Sequence, residues 1–128
     1  MENHLIYLST IAADAAGTAR QYALGLEIAE YCTACNMDEH FPETDAAVRE
    51  KLAGIARVTL HAPFVEISGA PDSPERAAME AAFAKAFRWY HLFGAESMVM
   101  HTHERAVPAD ERAQLQEWSL EAIRSTAA

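Results

Sequence analysis

Residues 57–103, RVTLHAPFVEISGAPDSPERAAMEAAFAKAFRWYHLFGAESMVMHTH, carry the pattern that decides the fold. Arg57 to Phe64 is a short β-type run stopped by Pro63, which offers no N–H to a sheet ladder and restricts the residue before it. After a loop from Val65 to Asp72, Ser73 and Pro74 form a cap followed by a first-turn proline. Met79, Ala82, Phe83, Ala86, Phe87, Tyr90 and Phe93 then recur at helical spacing along one face, with Trp89 off that face. Gly94 closes the helix, and Ser97 to His103 returns to a β-type run. The stretch therefore reads strand, helix, strand.

The same alternation extends in both directions. His4 to Thr10 is a first strand, and Asp14 to Leu24 an alanine-rich helix with Asp14 as its cap and Gly25 as its closing residue. Leu26 to Cys32 is a second strand. A polar loop from Thr33 to Glu43 follows, and Thr44 caps a helix whose Val48, Leu52 and Ile55 fall on one side. Beyond residue 103, Pro108 and Asp110 open a last helix carrying Leu115, Trp118, Ala122 and Ile123. Four strands alternating with amphipathic helices imply right-handed βαβ crossovers and a parallel sheet. The apolar runs Leu5 to Leu8 and Met98 to Met100 predict strands covered on both faces. Pattern alone leaves an open doubly wound sheet and a segment of barrel equally open, since no glycine-rich phosphate fingerprint follows the first strand.

Composition bounds what such a fold does. The 128 residues, 51% of them hydrophobic, suffice for one domain spanning 1–128. With 19 acidic against 10 basic residues and a net charge of −9, no basic field gathers phosphate backbones, so nucleic acid is not an expected partner. The sequence has no apolar run of about eighteen residues or more, and its start lacks the basic residues and cleavage site of a signal peptide. A cytoplasmic protein with no membrane contact is expected. Two cysteines are too few for a disulfide scaffold, and Cys32-Thr33-Ala34-Cys35 lacks the second pair of a zinc site and the flanks of a redox site.

The His-Ala-Pro-Phe ending of the third strand, the long helix closed by Leu-Phe-Gly-Ala and the histidine ending the fourth strand resemble the xylose isomerase-like TIM barrels. That superfamily includes sugar phosphate isomerases and epimerases and the family-2 AP endonucleases. Gly25 to Tyr31 also looks like its second strand. The resemblance covers the chain but only the first half of the family's fold, so the expected architecture is α/β: four β/α units of a TIM (β/α)8 barrel, a half-barrel with a parallel sheet. What it implies is a metal-dependent sugar or sugar phosphate isomerase or epimerase that moves a proton between adjacent carbons. The family's later strands carry most of its metal ligands and its acid/base pair, and this chain does not contain them.

His61 and His101 match positions that the AP endonuclease branch uses as metal ligands. The residues themselves agree in part. Thr59 and His61 point one way along their strand, and Val99, His101 and His103 share a face on the next. In a barrel these histidines converge at the C-terminal mouth, where neutral imidazoles suit a divalent metal such as Zn, Mn or Mg, with Glu30 or Glu104 orienting the second ring nitrogen. Glu30, and Glu66 from the loop after the third strand, are candidates for substrate contact. The other reading of each residue is a solvated carboxylate or a hydrogen-bonded histidine at a strand end.

Three functions follow. The first is the isomerase or epimerase chemistry on a small-molecule sugar, with carboxylates shuttling the proton. The second is a non-catalytic half-barrel, a fragment or an assembly module. The third is AP endonuclease-like phosphodiester hydrolysis, which the acidic charge opposes. A half-barrel leaves two sheet edges unpaired, so pairing of two copies through those edges into an eight-stranded homodimer is expected.

Overall fold

A computed structural model describes residues 5–38, 41–65, 69–101 and 106–127. In chain order the elements are β1 (Tyr7–Ser9), α1 (Ala15–Tyr22), β2 (Gly25–Ile28), a 3-10 turn (Glu30–Cys32), α2 (Ala34–Asp38), α3 (Phe41–Leu52), β3 (Val58–His61), α4 (Pro74–Leu92), β4 (Met98–Val99) and α5 (Arg112–Ala127). The protein is α/β, with one four-stranded sheet in the order β1-β2-β3-β4 and every neighbouring pair parallel.

Sequential order has a strong consequence. Each right-handed crossover returns to the same side of the sheet, so all the helices collect on one face. The contacts bear this out. The strand-level residues in the three apolar clusters are Leu8, Leu26, Ile28, Val58, Leu60, Ala62, Met98 and Met100, which share a single parity. Alpha-helical partners reach them from α1 (Ala15, Ala19), α3 (Val48, Leu52), α4 (Met79, Phe83, Trp89) and α5 (Ala122, Ile123). The expectation of cover on both faces is therefore corrected: the face carrying Tyr7, Ser9, Glu27, Thr59, His61 and Val99 receives no helix among the described residues.

Local chemistry explains most boundaries. Ser73 caps α4 by accepting from the Arg76 N–H at 3.1 Å, with Pro74 at the first position. Gly94, at φ 63°, ends that helix as expected. Other expectations fail. Gly25 does not close α1; Ala23 does, at φ 54°, and Gly25 begins β2. There a Cβ would stand 2.4 Å from the Tyr7 ring, so glycine is needed for close approach rather than for its dihedral freedom. Thr44 lies inside α3 rather than capping it, and the expected loop contains α2. Asp14 stands at the start of α1, but its side chain makes no capping hydrogen bond. Trp89, expected off the packed face, is 7% exposed and stacks on Tyr31 at 4.6 Å between centroids.

At the lower end of the open face Tyr7 lies beneath Arg57, whose guanidinium carbon is 4.8 Å from the ring centroid. Arg57 also holds Glu96 bidentately, Nε to Oε1 at 3.0 Å and Nη2 to Oε2 at 3.2 Å. This joins strands β1 and β3 to the approach of β4.

Two outcomes are expected. Gly25→Ala should lower stability by about 1–3 kcal/mol through overpacking, read from the urea midpoint, and most of that loss should vanish in a Tyr7→Ala background. The hydrogen bonds from Arg57 hold the Glu96 carboxyl below its ordinary value of 4.5. The unfolded chain thus binds this proton more readily, so the pair's contribution is complete above about pH 4.5 and lost as acidification passes the lower folded value. Glu96→Gln should flatten the urea midpoint against pH in that acid range, and an unchanged slope would dismiss the contribution.

Candidate functional site

Pro63 shapes the upper end of the open face. Ala62 N–H still pairs with Val99 O at 2.9 Å, but Pro63 has no donor to continue the ladder. The chain turns away, and Phe64 N–H bonds instead to Cys32 O at 3.2 Å, beyond the end of β2. The turn sets the Phe64 ring against both His61 and His101, with centroid separations of 5.0 and 5.4 Å.

His61 ends β3, and His101 lies two residues past β4 with the same parity as Val99. Their Nε2 atoms are 3.1 Å apart, and the rings are tilted by 31°. His61 Nδ1 lies 2.8 Å from Ala62 O. A carbonyl oxygen only accepts, so Nδ1 carries the hydrogen and the lone pair is left on Nε2, facing His101. The orienting partner is therefore a backbone carbonyl and not Glu30, which was one of the two expected. The geometry brings together the two histidines singled out in the sequence.

Glu30 goes elsewhere. Its side chain, 11% exposed, pairs with Lys51 Nζ from α3 at 2.7 Å, and its second carboxylate oxygen accepts from the Thr10 hydroxyl. Lys51 also donates to Thr10 O at 2.9 Å, and Thr10 Oγ1 accepts from Ala29 N–H at 3.0 Å. Because the cation comes from a helix, Glu30 faces the helical layer, where it locks α3 to the ends of β1 and β2. Of the remaining candidates, Glu66, His103 and Glu104 lie outside the described residues.

Fit to a divalent metal can be judged on the pair itself. Two imidazole nitrogens on one tetrahedral zinc, with bonds of about 2.0–2.1 Å, stand about 3.3 Å apart. The observed 3.1 Å is close to that, and the His61 tautomer is the one a ligand needs. Two imidazoles suit zinc or manganese better than magnesium, which prefers oxygen. Among the described residues no group of three or more His, Cys, Asp or Glu side chains could hold a metal ion, so the pair would offer a metal two ligands at most from these residues.

The open face also holds residues that sequence reasoning passed over. Glu27, Ser9 and Thr59 lie in one register row below His61. The legible signal was Glu27 between Leu26 and Ile28, a charged residue at the parity opposite to the apolar one, in a strand that disfavours Glu.

Cys32 has its thiol pushed up by burial, which keeps it protonated and a poor nucleophile. The side chain of Cys35 lies outside the described set. Alkylation of Cys32 by iodoacetamide at neutral pH should be slower in the folded chain than in urea, and should accelerate as pH rises. Equal rates would point to an activated thiol. Comparison with protein families, with curated proteins and with solved structures finds no match for the chain, so the site stands on its own geometry.

Proposed function

We propose that this chain is half of a metal-dependent (β/α)8 barrel of the xylose isomerase-like type, acting on a sugar or sugar phosphate by proton transfer between adjacent carbons. The observation that carries the reading is the His61–His101 pair, with Nε2 atoms 3.1 Å apart and His61 oriented through Nδ1 by Ala62 O. In support, the strand order is sequential, all neighbours are parallel, and the helices lie on one face, which is the arrangement of consecutive barrel units. His61 ends β3 and His101 follows β4 by two residues, toward the C-terminal side of the sheet where barrel active sites are built. A divalent ion held there would polarise a carbonyl or hydroxyl oxygen of the substrate. His61 and His101 would hold it, with His103, outside the described residues, as a further ligand candidate and Glu66, also outside them, as a candidate for substrate contact.

Four strands are half of an eight-stranded barrel, so this reading requires four more, from a second copy or from further chain. Exposed apolar side chains favour such a complement. Leu5, Ile6 and Ile11 flank β1, and Phe64 and Val99 lie beside the β3–β4 end. A homodimer would pair β1 of one copy with β4 of the other, twice, around a two-fold axis. One observation favours the second reading, a non-catalytic half-barrel. Glu30 is committed to Lys51 and Thr10, and no carboxylate is bonded to either histidine among the described residues.

Calorimetric titration of the chain with Zn2+ and Mn2+, with light scattering on the same samples, tests the proposal. His61→Ala and His101→Ala should each weaken binding by at least about tenfold. Equal metal retention by both variants would remove the ligand assignment. Metal binding by a strict monomer without sugar isomerase activity would favour the non-catalytic reading.

A further inference from the structure

Ser9, Glu27 and Thr59 form one row across three adjacent strands, since the register pairs Ser9 with Glu27 and Glu27 with Thr59. Registered residues of parallel strands share a face, and Glu27 and Thr59 have the parity of the open face on which His61 stands. His61 follows Thr59 by two residues, so the row lies about 6.6 Å below it along the sheet.

The fold makes no use of this row. Among the described residues, the Ser9 hydroxyl, the Glu27 carboxylate and the Thr59 hydroxyl have no hydrogen-bond or ion-pair partner within the chain. Other half-buried carboxylates are paired, Glu30 with Lys51 and Asp45 with Arg49, whereas unpaired ones such as Glu43, Glu50 and Glu75 are exposed at the surface. Glu27 is half-buried and Thr59 is 4% exposed, so the row is recessed in the sheet and is not a fringe of solvated charge. A carboxylate between two hydroxyls, set in an otherwise apolar strand, is costly to enclose without partners. Its chemistry is complementary to a molecule that brings several hydroxyls together. The carboxylate accepts from two neighbouring O–H groups, and the flanking Ser and Thr can both donate and accept. Strands about 4.8 Å apart give the row a reach of about 10 Å, comparable to a monosaccharide.

We infer that the Ser9–Glu27–Thr59 row is a binding surface for the neutral, polyhydroxylated part of a sugar, with Glu27 as its anchoring acceptor. This rests on the sugar reading above and extends it by naming the subsite. The negative charge of Glu27 repels a phosphate, so a phosphate group on the substrate would lie away from the row. A neutral polyol bound on the row would present its upper end to the His61–His101 pair.

Saturation-transfer NMR on the full chain with xylitol as probe tests this, with Glu27→Leu, Glu27→Gln and His61→Ala as variants. Glu27 bonds to nothing in the fold, so its variants should keep the wild-type circular dichroism and urea midpoint. Wild-type protein should transfer saturation to xylitol. Glu27→Leu should weaken that binding at least about tenfold, the loss of one charge-assisted hydrogen bond, and Glu27→Gln should retain part of it. His61→Ala should bind xylitol as wild type does, whatever its effect on metal. Equal binding by wild type and Glu27→Leu, or no transfer to xylitol at the highest probe concentration, would overturn the subsite. The metal assignment would be untouched by either result, and failure of metal binding alone would leave the row standing.

Discussion

Each crossover leaves a strand, passes through a helix and returns one strand further along, and the right-handed rule for such crossovers organises the rest of the molecule. With the order β1-β2-β3-β4, every helix must lie on one side. The sheet becomes two-faced at single-residue resolution. Leu26, Ile28, Val58 and Leu60 go to the helices, while Glu27, Thr59 and His61, each one residue away, go to the open side. A shift of one residue in register would exchange the two sets, which is why burial of the apolar set also positions the polar one.

The two faces divide the labour. On the helical side, polar groups act as fasteners. Lys51, Glu30 and Thr10 tie α3 to the ends of β1 and β2. Arg76, 6% exposed, reaches from α4 to Trp118 O on α5 at 2.9 Å. On the open side the polar groups are largely left uncommitted. The His61 Nε2 lone pair meets only His101, and the row below it is unengaged among the described residues. Chemistry requires groups whose bonding capacity has not been spent on the fold, and on the open face His61, His101 and the row below them are such groups close together.

How far a residue's role could be read in advance followed from how local its physics is. The Ser73–Pro74 start and Gly94 end of α4 depend on a few neighbouring backbone groups, and both were legible. His61 and His101 were legible as a pair because parity along adjacent strands is a local rule. Gly25 and Trp89 were misread. The first answers to the Tyr7 ring on the neighbouring strand, the second to Tyr31 beyond the end of β2, and neither contact is written in the nearby sequence. Glu30 was read as a mouth residue because its place after β2 was visible and its partner, 21 residues later on α3, was not.

The sequence by itself determined the alternation of strands and helices, the parallel sense of the sheet and the place of His61 at the end of β3, because periodicity, caps and breakers act over a few residues. The fourth strand, expected over Ser97 to His103, is confined to Met98–Val99, and His101 lies two residues past it. Only the tertiary structure decided which face the helices leave open, which carboxylates are consumed by lysine and arginine, and that the two imidazoles stand 3.1 Å apart with one tautomer set by a backbone carbonyl. Those outcomes depend on contacts between segments tens of residues apart, whose geometry exists only once the sheet has assembled.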